Sequence, residues 1–62
     1  MDTTMQVAMT IISNPKVTEP RKAYWINRVK DEVAAFLCAG LYVSARELEN
    51  QLNAVVSSSK VQ

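Results

Sequence analysis

The hydrophobic pattern of the chain is strongest between residues 19 and 56, where apolar side chains recur in two runs with the period of an α-helix. At about 100° per residue, the apolar side chains of residues 19–39 fall within one arc of about 120°. This first stripe consists of Trp25, Ile26, Val29, Val33, Phe36 and Leu37. A second stripe, about 100° wide, recurs over residues 45–56 and consists of Leu48, Leu52, Val55 and Val56. The pattern predicts two amphipathic helices.

The stretch between the two stripes carries signals for the end of one helix and the start of another. Gly40 follows the first stripe, and glycine readily adopts the left-handed conformation that closes a helix in a Schellman motif. Ser44 and Glu47 have the spacing of a capping box, and Val43 and Leu48 have that of a hydrophobic staple. Helices joined by so short a link pack against each other, so the sequence predicts an antiparallel helical hairpin.

The hairpin should bury the two stripes against each other. Its expected core residues are Ile26, Val29, Val33, Phe36, Leu37, Leu48, Leu52 and Val55. Two helices meet along a line, so parts of each stripe stay uncovered, and a chain of 62 residues is marginally stable as a monomer. We therefore expect an all-α fold in which two hairpins pair into a four-helix homodimer.

Residues 5–12 fit two different structures. The positions that alternate as in a strand are Met5, Val7, Met9 and Ile11. The positions that would share one helical face are Met5, Ala8, Met9 and Ile12. Because no later segment reads as a partner strand, we favour a short helix capped by Asp2 or Thr3, with an unstructured arm as the alternative.

These patterns divide the chain into three segments. Residues 1–18 form an N-terminal arm and a proline-containing linker, residues 19–56 form the hairpin, and residues 57–62 form a disordered tail. At the start of the hairpin, Thr18 is the expected N-cap and Pro20 fits the first helical turn. Because the caps and both stripes lie downstream, we expect the hairpin to survive loss of the first twelve residues.

Outside the stripe, and at its edge in the case of Trp25, the first helix carries small and aromatic side chains that suit contact with another molecule. The candidate dimer or partner surface comprises Tyr24, Trp25, Ala34, Ala35, Cys38 and Ala39. Small side chains let a second helix approach closely, although alanine is also simply a good helix former. Both explanations remain open from the sequence.

Charge is unevenly distributed along a chain whose net charge is +1. Residues 16–30 carry five basic side chains and one acidic one, whereas residues 31–49 carry four acidic side chains and one basic one. Basic residues near Tyr24 and Trp25 are typical of nucleic-acid contacts, for which the candidates are Arg21, Lys22, Arg28 and Lys30. A solvated helix face explains the same charges, and so does an antiparallel dimer in which basic and acidic helix halves meet.

The sequence contains no arrangement of residues that points to catalysis. Asp31 and Glu32 lie three and four residues after Arg28, so helix-surface ion pairs explain these carboxylates. Cys38 has no histidine to activate it, and Gly40, the single glycine, cannot make a phosphate-binding loop. With one cysteine and no histidine, neither a disulfide within the chain nor a metal site is expected. We expect no cofactor and no enzymatic activity.

Two resemblances bear on function. Val43-Ser44-Ala45-Arg46-Glu47-Leu48 resembles the opening helix of a helix-turn-helix domain, with residues 52–57 as the turn, which implies DNA binding. As a whole, the compact, helical, cysteine-poor chain resembles the small early-region accessory proteins of temperate, lambda-like bacteriophages. That resemblance implies a protein that binds a host or phage partner.

Localisation follows from what the sequence lacks. No segment has the roughly 18 apolar residues of a membrane span, and the start of the chain has no signal-peptide pattern. The unpaired Cys38 suits a reducing compartment, so we expect a cytoplasmic protein, in the host cytoplasm if phage-encoded. The leading hypothesis is a non-enzymatic interaction module that binds itself and another protein, and the alternative is a small DNA-binding regulator.

Overall fold

The computed structural model describes residues 3–60, and it describes the side chains of residues 3–58. Within that range the chain forms three helices, α1 (Thr3–Ser13), α2 (Glu19–Cys38) and α3 (Tyr42–Lys60), and no strand. Each helix contacts the other two. The expected all-α class is confirmed. The hairpin of α2 and α3 has a third helix packed against it, so a pair of such chains would contain six helices rather than four.

The N-terminal segment is a helix and forms part of the core. Met5, Ala8 and Ile12 are buried, with at most 2% of each residue exposed, whereas Val7 is 44% exposed. This spacing is helical, so the strand is excluded and the favoured short helix is confirmed. The predicted N-terminal arm is therefore wrong for the part that forms α1. This helix covers apolar surface of α2 and α3 that the two-helix hairpin alone would leave exposed. Asp2, one of the expected caps, lies outside the described residues, and Thr3 is the first residue of α1.

The linker between α1 and α2 is a tight turn. The Asn14 side-chain oxygen accepts the Lys16 amide at 2.9 Å, and the Asn14 carbonyl accepts the Val17 amide at 3.2 Å. Thr18 is the N-cap of α2 with an extended backbone, as expected, but its hydroxyl makes no capping hydrogen bond. Its carbonyl accepts the Lys22 amide at 3.0 Å, which starts the helical ladder.

The turn between α2 and α3 has the hydrogen bonds of the expected Schellman motif. The Leu41 amide donates to the Phe36 carbonyl at 2.9 Å, and the Gly40 amide donates to the Leu37 carbonyl at 3.1 Å. Gly40 has a φ of 78°, the left-handed conformation that closes the motif. Ala39 is the C-cap, so α2 ends at Cys38, one residue before the end of the range 19–39 that the sequence predicts to be helical.

α3 is longer at both ends than the sequence predicts. The Ala45 amide donates to the Leu41 carbonyl at 3.0 Å, so the helix begins at Tyr42 and Ser44 lies inside its first turn. The expected capping box is therefore not at the N-cap. At the other end, residues 57–60 of the expected disordered tail are helical, because no glycine or proline follows Gly40 to end the helix. Residues 61 and 62 lie outside the described range.

The core lies where the three helices meet. Its buried apolar residues are Met5, Ala8, Ile12, Val29, Ala45, Leu48 and Leu52. Four other expected core residues are partly buried and pack against this cluster, namely Ile26, Val33, Phe36 and Val55. Leu37 is the exception, because 48% of it is exposed. It lies about 80° around α2 from Val29, at the edge of a stripe whose centre faces both α1 and α3.

Candidate functional site

A contiguous apolar surface occupies the end of the molecule where α2 turns into α3. We call it the turn patch, and it consists of Leu37, Leu41, Tyr42 and Val43. These residues are 48%, 50%, 68% and 72% exposed, respectively. Of the large apolar side chains that are exposed in residues 3–58, only Val7 and Tyr24 lie elsewhere.

Local structure explains why these apolar residues face water. The Schellman turn reverses the chain within residues 39–41, and α3 resumes immediately at Tyr42. Tyr42 and Val43 therefore lie in a first helical turn at the tip of the hairpin, beyond the reach of the core. The staple expected between Val43 and Leu48 is wrong, since Val43 is 72% exposed while Leu48 is buried. The sequence did not predict this site, because its pattern assigns the apolar residues after Gly40 to the packing that stabilises helix ends, such as the staple.

The turn patch continues into a shallow groove between α2 and α3. One hollow of about 290 Å³ is lined by Lys30, Val33, Ala34, Leu37, Glu49, Leu52 and Asn53. A second, of about 250 Å³, is lined by Val33, Leu37, Tyr42, Ala45, Arg46 and Glu49. The two hollows share Val33, Leu37 and Glu49, so together they form one groove with an apolar floor and charged rims. Leu37 and Tyr42 connect this groove to the turn patch.

A separate cleft of about 690 Å³ lies at the junction of α1 and α2. It is lined by Ile11, Val17, Thr18, Pro20, Arg21, Tyr24 and Trp25. The Tyr24 and Trp25 rings meet edge to face, with centroids 5.4 Å apart and an interplanar angle of 89°. The cleft combines aromatic and apolar walls with the Arg21 guanidinium.

Most residues of the expected dimer or partner surface are exposed. Tyr24 is 62% exposed, and the four small residues of this surface, Ala34, Ala35, Cys38 and Ala39, are all exposed. Trp25 differs, because it is partly buried and packs against the core. These exposed positions of α2 are therefore accessible to a second molecule, whereas the Trp25 side chain is accessible only in part.

The expected nucleic-acid contacts do not form one surface. Arg21 and Lys30 are exposed, and the Arg28 guanidinium lies 3.5 Å from the Glu32 carboxylate. Lys22 is only 7% exposed, since it lies two turns before Val29 on the core face of α2, so assigning it to a phosphate contact is wrong. The helix-turn-helix reading is also corrected, because the expected turn at residues 52–57 lies inside the continuous α3.

Ionisable and nucleophilic side chains are dispersed over the described surface. Among the described residues, no three histidine, cysteine, aspartate or glutamate side chains lie close enough together to hold a metal ion. The Cys38 thiol is free and exposed. The Arg28–Glu32 pair joins residues one turn apart on α2, as their spacing in the sequence predicts. We take the turn patch and its groove as the candidate site, rather than the cleft between α1 and α2, because four of the six exposed large apolar side chains in residues 3–58 lie in the patch.

No known protein guides the interpretation of this site, which therefore rests on the geometry of the described residues. In the part of the chain that the structure describes, no helix combines the length and the apolar character needed to cross a membrane. Neither a protein-family model, nor a curated protein, nor a solved structure matches the chain.

Proposed function

We propose that this protein is a non-enzymatic interaction module that binds another protein through the turn patch. The observation that carries the proposal is the concentration of exposed Leu41, Tyr42 and Val43 at one end of the molecule. Contiguous exposed apolar surface is costly in water and is typical of a binding site. Tyrosine is also among the side chains that are enriched at interfaces.

The charges around the turn patch indicate the chemistry of the partner. A shallow hollow beside the patch is lined by Tyr42, Val43, Arg46 and Glu47, and Glu49 lies on the rim of the adjoining groove. Residues 31–49 carry four acidic side chains and one basic one. A partner with an apolar anchor and a basic rim suits this surface, whereas the phosphates of DNA do not.

The proposal includes a biological setting. A small protein that acts by contact alone suits the role of the early-region accessory proteins of temperate bacteriophages. In that setting it would bind a host or phage protein in the host cytoplasm. Pairing with a second copy is a separate part of the proposal and involves a different surface.

Site-specific photo-crosslinking tests the turn patch directly. A photoreactive phenylalanine analogue at Val43 should give a discrete heavier species in the cells that encode the protein. The same analogue at Gln6, which is exposed on α1, is the matched control and should not. Val43→Ser should abolish capture by an analogue placed at Tyr42 without changing the melting temperature, because Val43 is 72% exposed. Equal crosslinking from Gln6, or none from Val43, would contradict the proposal.

Salt dependence separates this function from DNA binding. Fluorescence anisotropy with a labelled DNA duplex should show no binding at near-physiological salt. A DNA-binding regulator would instead bind with an affinity that falls steeply as salt increases, through its basic side chains. Such binding, weakened in an Arg21→Ala variant, would favour the regulator.

A further inference from the structure

We propose that the outward face of α2 is a self-complementary interface that holds a second copy of this chain antiparallel. The face consists of Arg21, Tyr24, Arg28, Asp31, Ala35 and Cys38, and we call it the outer α2 face. These positions are spaced alternately by three and four residues, and at about 100° per residue they share an arc of about 100°. That arc lies on the side of α2 opposite Val29, which is fully buried. This surface is separate from the turn patch.

The outer α2 face is open to a partner along its whole length. Every residue of the face is exposed except Arg28, which is partly exposed with 41% of its side chain accessible. Tyr24 is the largest of them and is 62% exposed. Alternating spacings of three and four residues are those of the seam between two packed helices.

Large and small side chains on this face match when a second copy is placed antiparallel. If the two-fold axis passes between Val29 and Lys30, residues at equal distances on either side of that point face each other. Tyr24 then meets Ala35 of the second copy, so a large ring faces a methyl group. Arg21 meets Cys38 at the C-terminal end of the other α2, where the helix dipole favours a positive charge.

The charges match in the same register. Arg28 of each copy faces Asp31 of the other, which gives two equivalent ion pairs about the axis. Within its own chain Arg28 already lies 3.5 Å from Glu32, so the pairing extends an existing charge pair into a network. A parallel arrangement would instead place Arg28 against Arg28 and Asp31 against Asp31, which costs free energy. Because one face supplies both halves of each match, the occupant that fits it is a second copy.

A charge-exchange experiment tests this register. Arg28→Glu alone places two acidic residues opposite each other, and Asp31→Arg alone places two basic residues opposite each other. Each variant should dimerise at least about tenfold more weakly than the wild type. In a mixed pair formed from an equimolar mixture, Glu at position 28 of one variant faces Arg at position 31 of the other, and the native Asp31 of the first faces the native Arg28 of the second, so both contacts join opposite charges. The mixture should therefore associate about as tightly as the wild type.

The comparison of the mixture with each variant alone separates contacts between chains from effects within a chain. Any effect of a substitution on its own chain is the same in both samples. Sedimentation equilibrium gives the dissociation constants, and circular dichroism checks that each variant is folded. A mixture that associates no more tightly than the separate variants would overturn the proposed register. A wild-type chain that remains monomeric at millimolar concentration would overturn the interface itself. Neither result bears on the partner at the turn patch.

Disulfide trapping provides a second measurement. In an Arg21→Cys variant, each new thiol faces the native Cys38 of the other copy, so mild oxidation should give a covalent dimer of twice the 6.9 kDa chain mass. Lys30→Cys, exposed on α2 but outside the outer face, is the matched control and should remain mostly monomeric. In the proposed pair the two native Cys38 residues are roughly 25 Å apart along the helices. Efficient crosslinking of the wild type or of the Lys30→Cys control would refute the antiparallel arrangement.

Discussion

At the scale of single residues, Gly40 determines where the hairpin reverses. Its φ of 78° lies in a region that other residues enter only with strain, and an added Cβ would meet no atom within 4 Å. The cost of a side chain at this position is therefore a backbone cost and not a clash.

Gly40→Ala is expected to lower the free energy of unfolding by about 1–2 kcal/mol. Asparagine tolerates the left-handed conformation better, so Gly40→Asn is the control and should lose less. Urea denaturation of both variants measures the difference. Equal losses for the two would show that the turn does not depend on this conformation.

Two leucines that line the same hollow differ in burial, which makes them a matched pair. Leu52 is 4% exposed and Leu37 is 48% exposed. Leu52→Ala should lower the free energy of unfolding by about 2–5 kcal/mol, because it opens a cavity in the core. Leu37→Ala should lower the free energy of unfolding by well under half of that amount, because Leu37 is half exposed already. Urea denaturation of the two variants measures both losses. Similar losses would show that Leu37 belongs to the core as much as Leu52 does, which would contradict the assigned core face of α2.

At the scale of elements, α1 is the helix that the sequence favours but does not place in the core. It supplies Met5, Ala8 and Ile12, three of the buried apolar side chains of the described core. Without α1, the surfaces of α2 and α3 that it contacts would face water. The sequence predicts that the hairpin folds without its first twelve residues, and the burial of these three side chains argues against that.

A chain that begins at Asn14 is therefore expected to lose its cooperative thermal transition, which circular dichroism can follow. Ile12→Ala is a milder version and should cost about 2–5 kcal/mol, since Ile12 is 1% exposed. Val7→Ser, on the exposed side of α1, is the control and should change stability little. An undiminished transition in the truncated chain would restore the original expectation.

How far sequence alone could predict these elements depends on how local their signals are. The end of α2 was predictable because Gly40 and the residues around it encode the Schellman motif within a few positions. The packing of α1 into the core was not predictable, because residues 5–12 carry both the strand and the helix period, and only the surface that they cover decides between them. The turn patch has no local signature, since exposure of Tyr42 and Val43 depends on their distance from a core that three helices build. Lys22 lies on the core arc of α2, but its charge suggested a surface role.

At the scale of the whole molecule, the charges of the 62-residue chain are separated between its two ends. Basic side chains predominate in residues 16–30, and acidic ones in residues 31–49. Because α2 and α3 run antiparallel from a shared turn, Asp31, Glu32, Glu47 and Glu49 are carried on the half of the hairpin nearer that turn. The molecule, 35 Å long, is thus electrically polarised along its length.

We expect the protein to dimerise at micromolar concentration. Its melting temperature should then rise with protein concentration, because mass action favours the associated, folded form. Sedimentation equilibrium over a hundredfold dilution measures the association directly. A single species at 6.9 kDa across that range would contradict the prediction.

The short connection between α2 and α3 also has a kinetic consequence. Because only residues 39–41 separate the two helices, closing the hairpin costs little loop entropy, and such local contacts form within microseconds to milliseconds. Contacts between α1 and α3 span much more of the chain and should form last. On this basis the amide hydrogens of α1 should exchange with solvent sooner than those around Val29 and Leu48. Each opening of α1 would briefly leave a hairpin with an apolar side exposed, so the rate at which α1 docks again sets how long the chain is open to aggregation.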